Sequence, residues 1–354
     1  MNTFQKMKTA FIMSGVFSLA ATALKCAAMF VEFDREIGFF SASAPMNTAA
    51  DIVMLLSLVF FAAIVFPIKK RDVSQVINYS SSPFRFFSST SGCLMLVYAY
   101  VKWNEYLTEK TSLSVANAKK VNFLLIIVIL SVISAAALFV YAFGKNEKNS
   151  PRRAFLAASP AGVVLVRAIE IQFDGNIEMN DPVKISFQIA SIALMLALVY
   201  TAKCEFDIHE TSPHLRIFTL LAAPVFVLSF ALVTVICYYS KVNTVFSYLV
   251  DALLYISLCG FAVCSYTPCK QAKPICDAKW SAYDDEVASL NMKKDDSEDA
   301  EDGEDAEDNE DNEDGESYTE EINASVSFDA ESENEMLSDD SSEINEQNTD
   351  TKED

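Results

Sequence analysis

Five ionisable residues lie within long apolar stretches of the chain, and they are its strongest candidates for chemistry. They are Lys25, Asp51, Arg167, Glu170 and Asp251. A charged group is expensive in apolar surroundings, so one that persists there pairs with another charge or lines a polar cavity. Arg167 and Glu170 are three residues apart, which places them on one helix face within reach of each other. Asp251 has no such neighbour, so we predict that it faces Lys25 or Arg167 across the interface between two repeated halves of the chain.

Two hypotheses account for these five residues. In the first, they line one outward-facing polar cavity where two halves of the protein meet, and Asp251 is the foremost functional candidate. In the second, Lys25 and Arg167 extend toward the membrane surface, and the carboxylates neutralise them as purely structural pairs. Sequence alone leaves both hypotheses open.

Motifs of known catalytic or metal-binding chemistry do not occur in the chain. The sequence contains no HExxH, GxSxG, GxGxxG or P-loop pattern. Both histidines, His209 and His214, fall in one polar segment after Cys204, with a spacing that matches no standard zinc site. We therefore predict a protein that is not an enzyme, holds no metal and no cofactor, and binds no nucleic acid.

The elements that position the five residues are eight apolar stretches, each long enough to cross a bilayer. A helical span needs about 20 predominantly apolar residues. The chain is 51% hydrophobic with a mean hydropathy of +0.22, in spite of a net charge of −21. The predicted spans are 9–31, 48–67, 86–104, 121–144, 154–173, 185–202, 215–239 and 243–266. This pattern predicts an all-α integral membrane protein.

Basic residues indicate how the spans are oriented, because cytoplasmic loops are enriched in Lys and Arg. With the N-terminus inside, fifteen basic residues are cytoplasmic and seven are external. We predict a multi-pass protein of the cell membrane with both termini in the cytoplasm. The first span also has features of a cleavable signal peptide, with Lys6 and Lys8 before an apolar core. Its apolar residues continue to Val31, which favours a retained helix.

Three short matches recur in the same order in the two halves of the apolar region, which indicates an internal duplication. Each match lies at the corresponding end of a predicted span. The matching pairs are Phe33–Ile37 with Phe173–Ile177, Ser82–Phe87 with Ser212–Phe218 (one residue inserted), and Lys120–Asn122 with Lys241–Asn243. Four crossings return the chain to its starting side, so the halves are predicted to be parallel repeats. The predicted domains are 1–145 (first four-helix repeat), 146–270 (second four-helix repeat) and 271–354 (tail).

The segment Phe33–Phe40, with the sequence Phe-Asp-Arg-Glu-Ile-Gly-Phe-Phe, follows the first span. It resembles an element of uncharacterised multi-pass membrane proteins of Gram-positive bacteria. The resemblance covers the first helical hairpin. It implies a membrane location and no particular activity, because those proteins have none assigned.

The C-terminal tail differs sharply from the rest of the chain in charge. From Asp295 onward it carries 28 Asp and Glu and one Lys, so its net charge is −27 and the preceding residues carry +6. Such a composition cannot bury a core, so we predict a disordered acidic tail on the cytoplasmic side. Basic proteins or divalent cations are its predicted partners, alongside the lipid bilayer around the spans.

Two functions fit this organisation. The first is a transporter or permease with a polar cavity between the two repeats. The alternative is a membrane scaffold or sensor that transports nothing and whose acidic tail binds basic partners. A polar cavity lined by both halves would favour the first, and a wholly apolar interior would favour the second.

Overall fold

A computed structural model describes most of the apolar part of the chain. The described residues are 3–34, 39–41, 43–68, 81–111, 118–144, 151–173, 181–206, 213–240 and 246–266. The predicted tail and the segment around His209 lie outside them, so the disorder of the tail and the domain boundaries stay predictions. His214 is described, and its Nε2 lies 2.6 Å from the carbonyl oxygen of Ile68.

The described residues form eight helices and one short hairpin. The helices are α1 (Thr3–Val31), α2 (Pro45–Val65), α3 (Ser82–Thr111), α4 (Ala118–Phe143), α5 (Pro151–Gln172), α6 (Pro182–Phe206), α7 (Pro213–Tyr239) and α8 (Phe246–Ser265). The hairpin pairs β1 (Phe33–Asp34) with β2 (Phe39–Phe40) in antiparallel register. Each predicted span falls on one helix, so the all-helical architecture of the apolar region is confirmed.

Proline and acidic side chains mark the starts of the helices. Pro45, Pro151, Pro182 and Pro213 each occupy the first position of a helix, where the missing N–H removes no intrahelical bond. Asp181 caps α6, since its Oδ1 accepts a 2.8 Å hydrogen bond from the backbone N–H of Val183. These local signals explain why most predicted boundaries lie within about four residues of the observed ones. The exceptions are the start of α1 and the end of α3, because these helices extend beyond the predicted spans 9–31 and 86–104 to Thr3 and Thr111.

Six of the eight helices are long and apolar enough to cross a membrane, namely α1, α2, α4, α6, α7 and α8. Their outward surfaces carry large exposed apolar side chains, such as Leu19 on α1 and Val59 on α2. A water-soluble protein seldom exposes apolar surface so continuously. The chain is therefore a helical, membrane-embedded protein.

The helices α3 to α8 pack in a closed ring, each against the next along the chain, with α8 returning to α3. The helices α1 and α2 pack on the outside of this ring against α7. Corresponding helix pairs pack together in the two halves. The pair α1–α2 corresponds to α5–α6, and the pair α3–α4 corresponds to α7–α8. The packing of α1 and α2 on α7 lies outside this correspondence, and the internal duplication stays a prediction.

A tight interface between α3 and α8 closes the ring. Gly260 of α8 faces the aromatic ring of Phe87 so closely that a Cβ atom at position 260 would collide with that side chain. On α3, Gly92 faces Phe139 of α4, and a Cβ would lie 3.0 Å from that ring. Ser91 and Ser257 share a 2.6 Å hydrogen bond across the α3–α8 interface. Small residues thus allow the backbones to approach, as is common where helices pack in membranes.

Candidate functional site

An arginine on α5 and a carboxylate on α8 form the centre of the site. The Nε of Arg167 lies 3.3 and 3.1 Å from the two carboxylate oxygens of Asp251, and its Nη2 lies 2.7 Å from Oδ2. The planar guanidinium therefore binds Asp251 in a fork, the strongest geometry available to this pair. Asp251 is completely buried and Arg167 is 5% exposed. The prediction that Asp251 pairs with Arg167 is confirmed. Both α5 and α8 belong to the predicted second repeat, 146–270, so the pair does not cross the interface between the two predicted repeats, and that part of the prediction is wrong.

Two further neighbours hold the guanidinium in place. The Nη1 of Arg167 donates to Oε2 of Glu170, three residues along the same helix, as the sequence spacing predicts. The guanidinium carbon also lies 5.6 Å from the centre of the Phe187 ring on α6, within the range of a cation–π contact. Glu170 is 1% exposed, so one buried cation serves two buried carboxylates.

A lysine on α3 extends this arrangement to a third helix. The Nζ of Lys102 donates to Oγ of Ser247 at 2.9 Å and pairs with Oε2 of Glu105 at 2.7 Å. Ser247 Oγ also accepts from Nη2 of Arg167 at 3.2 Å, so one hydroxyl bridges the two cations. We call Lys102, Arg167, Glu170, Ser247 and Asp251 the inner cluster. It ties α3, α5 and α8 together.

A cavity of about 720 Å³ opens above the inner cluster. Arg167, Glu170 and Ser247 line its floor, and Glu105 lines its wall. At the side, Lys120 of α4 pairs with Glu109 of α3 at 3.0 Å. Among the described residues, α5 and α8 are not a closely packed helix pair. The long side chain of Arg167 spans the distance from α5 to Asp251 on α8.

Polar side chains of α3, α6 and α8 continue below the cavity floor. The Tyr98 hydroxyl, one turn from Lys102 on α3, is buried and has no hydrogen-bond partner among the described residues. On α8, the Tyr255 hydroxyl lies one turn below Asp251 and shares a 2.8 Å hydrogen bond with Ser191 of α6. The Ser91–Ser257 hydrogen bond lies further along the α3–α8 interface. Polar atoms therefore continue from the cavity toward the opposite end of the ring of helices.

Lys25 and Asp51 form a separate group on the two helices outside the ring. The Nζ of Lys25 lies 2.8 Å from Oδ1 of Asp51 and donates to Oδ1 of Asn47 at 2.7 Å. We call Lys25, Asn47 and Asp51 the outer cluster. The hypothesis that all five ionisable residues line one cavity is therefore wrong, because α1 and α2 pack outside the ring that contains α5 and α8.

Sequence reasoning missed Lys102, Glu105 and Ser247. From the sequence, Lys102 was one of the seven basic residues predicted to be external, although it is 1% exposed in the structure. A signal was present, because Ser88, Ser91, Tyr98 and Lys102 recur at helical spacing on one face of α3. Such a polar stripe, on a span of low overall hydropathy, is typical of a helix whose polar face is turned inward.

The described residues contain no group of three side chains suited to holding a metal ion. The inner cluster instead offers paired charges beside an open volume, which suits the binding of a small polar solute. Among known proteins, no family model, no curated protein and no solved structure matches this chain.

Proposed function

We propose that the chain is a transporter or permease that crosses the cell membrane eight times and binds a small polar solute in the cavity above the inner cluster. It is not an enzyme in this proposal. The two helices beyond the six apolar ones are long enough to cross. At 1.5 Å per residue, α3 with 30 residues and α5 with 22 residues extend about 45 and 33 Å. Three charged side chains within these two helices, Lys102, Arg167 and Glu170, are buried inside the protein and so do not meet lipid.

The observation that carries this proposal is a cavity of about 720 Å³ whose floor is formed by buried charges. Buried ion pairs contribute little to stability compared with apolar residues of similar volume. A purely structural role therefore does not explain why such groups border an open volume. Ligand sites of roughly 300–1,000 Å³ with a few convergent polar groups are common in proteins. Helices from both predicted repeats line this one.

The charge of the site favours a solute that carries a positive group. Glu105, Glu170 and Asp251 supply three carboxylates, against the two cations Lys102 and Arg167. The site therefore has one formal negative charge in excess. Glu105 and Glu170 line the cavity, so a bound ammonium or metal cation can reach them.

A ligand screen on the detergent-purified protein tests this proposal. Monovalent cations, small amines and amino acids are compared by thermal shift, because a solute that binds the folded state raises its melting temperature. We expect at least one cationic solute to stabilise the protein, and Glu105→Gln to weaken that effect. Asp34→Asn, an exposed carboxylate on the hairpin, is the matched control and keeps the full shift. If no cationic solute shifts the wild-type protein, the proposal is wrong.

Reporter fusions test the eight crossings and their orientation. A reporter fused after Lys279 should report the cytoplasm, because eight crossings return the chain to the side of its N-terminus. A reporter inserted near Ala116, between α3 and α4, should report the outside. If both report the same side, α3 or α4 does not cross as proposed.

The alternative function, a scaffold or sensor, depends on the tail and its charge of −27. Truncation after Lys294 separates the two proposals. A transporter should keep its thermal stability and its solute-induced shift after truncation, because the cavity lies wholly within the helices. A scaffold should lose its basic partners and show no solute-induced shift before or after truncation.

A further inference from the structure

A second cleft, of about 270 Å³, contains the outer cluster. It runs between α2 and α6, which both pack on α7, and α7 forms its base. Ile185 and Ile189 of α6 line the cleft and are 44% exposed, so the cleft opens toward the apolar outer surface. It shares no lining residue with the cavity above the inner cluster.

One end of this cleft is polar and holds paired charges. Two of the three ammonium protons of Lys25 are directed at Asn47 and Asp51, so one donor has no partner among the described residues. The Asp51 side chain is 50% exposed, so its carboxylate can accept further hydrogen bonds. Lys25 is six residues from the end of α1, and Asp51 is six from the start of α2. Both therefore lie about 9 Å inside their helix ends, near the boundary between headgroups and hydrocarbon.

The deeper end of the cleft is mainly apolar. Met54, Ile189 and Phe226 line it, contributed by α2, α6 and α7. The hydroxyl of Ser229 lies beside them and donates to the carbonyl oxygen of Phe226 at 2.9 Å. Met54 lies about 14 Å along α2 from its start, and Phe226 lies about 20 Å along α7 from Tyr239. A molecule that fills the cleft therefore meets paired charges near the membrane surface and apolar side chains below them. This order matches an amphiphile inserted with its polar end outward.

We propose that the cleft between α2 and α6 binds a phospholipid whose headgroup carries an ammonium group. The phosphate accepts from the free donor of Lys25, the ammonium donates to Asp51, and one acyl chain lies against Ile189 and Phe226. Charge complementarity selects this class of lipid, because a headgroup with both charges matches a site with both charges. A headgroup with only negative charge would place its phosphate beside Asp51 without compensation.

Native mass spectrometry of the detergent-purified chain, supplied with defined lipids, tests this proposal. Phosphatidylethanolamine, phosphatidylglycerol and soluble phosphoethanolamine are compared at equal concentration. We expect the protein to retain phosphatidylethanolamine about tenfold over phosphatidylglycerol, since one charge-assisted contact differs between them. Asp51→Asn should abolish this preference. Lys25→Gln should lower the retention of both lipids, while Lys203→Gln, an exposed lysine at the other end of α6, changes neither.

Ile189→Trp keeps the test decisive if the charge variants fold poorly. Its position is 44% exposed, so the larger side chain fills the cleft without straining the interior. We expect it to lower lipid retention severalfold with the outer cluster intact. The proposal is overturned if phosphatidylglycerol binds as well as phosphatidylethanolamine, if phosphoethanolamine alone binds as tightly as the lipid, or if Ile189→Trp has no effect. None of these results bears on the cavity above the inner cluster.

Discussion

The inner and outer clusters use the same chemical groups in different surroundings. Each pairs a basic side chain with an aspartate from another helix, at 2.7 Å for Arg167–Asp251 and 2.8 Å for Lys25–Asp51. The Asp251 side chain is fully buried, whereas the Asp51 side chain is 50% exposed. Buried charges interact strongly but are costly to leave unpaired, and exposed pairs contribute little. The two ion pairs therefore have nearly equal distances and differ in how deeply their side chains are buried.

Position in the helix ring accounts for this difference. The inner cluster connects α3, α5 and α8, all members of the ring, so its removal disturbs several interfaces at once. The outer cluster connects α1 and α2, which attach to the ring through α7. We therefore expect the inner cluster to govern stability and solute binding, and the outer cluster to govern contacts at the lipid surface.

The largest expected effect comes from Asp251→Asn. This change removes the carboxylate that binds Arg167 in a fork and leaves Glu170 as the one carboxylate paired with the guanidinium among the described residues. We expect a loss of about 3 kcal/mol in the free energy of unfolding, the range for breaking a buried ion pair. Thermal unfolding in detergent measures it. A loss below about 1 kcal/mol would mean that Arg167 and Asp251 interact no more strongly than an exposed ion pair.

A double-mutant cycle sharpens this result. Arg167→Gln combined with Asp251→Asn should cost less than the sum of the two single changes, because each single change already removes the contact between these two side chains. The double variant keeps the net charge of the site but changes the cavity floor, so we expect a smaller solute-induced thermal shift than in the wild-type protein. Strictly additive losses would show that the two groups act independently.

Gly260→Ala should have the next largest effect. The new methyl group would collide with the Phe87 ring at the α3–α8 interface that closes the ring of helices. We expect a loss of about 1–3 kcal/mol, as for other overpacked interiors. Gly15→Ala on α1 is the matched control, because no atom lies within 4 Å of the added group. Equal melting temperatures of the two variants would contradict the observed packing.

Ser257→Ala should have a smaller effect at the same interface. It removes the 2.6 Å hydrogen bond to Ser91 and leaves that buried hydroxyl without this partner. We expect a loss of about 1 kcal/mol. Replacing both serines by alanine should restore part of it, because no polar group then remains unpaired there. Thermal unfolding of the three variants provides the comparison.

The smallest effect on stability is expected from Asp51→Asn. Its partner Lys25 keeps the hydrogen bond to Asn47, and the Asp51 side chain is half exposed. We expect a change below about 1 kcal/mol, the usual range for an exposed ion pair. The same thermal unfolding experiment measures it beside Asp251→Asn. If Asp51→Asn destabilises the protein as strongly as Asp251→Asn does, burial does not separate the two clusters in their effect on stability.

The positions of the eight helices could be predicted from the sequence because their causes are local. Apolar length, proline at helix starts and the acidic cap at Asp181 all act within one helix. The Arg167–Glu170 pair was predictable for the same reason, since a spacing of three residues determines a shared face. The charge contrast between the tail and the apolar region is likewise a property of composition alone.

Only the tertiary structure decided which charges from different helices meet. By depth along the helices, Asp251 could face either Lys25 or Arg167. The packing of α1 and α2 against the outside of α7 removed Lys25 from its reach and paired it with Asp51. Lys102 entered the inner cluster because α3 packs on α8. Partners on different helices depend on how whole helices pack, and local sequence spacing carries no information about that packing.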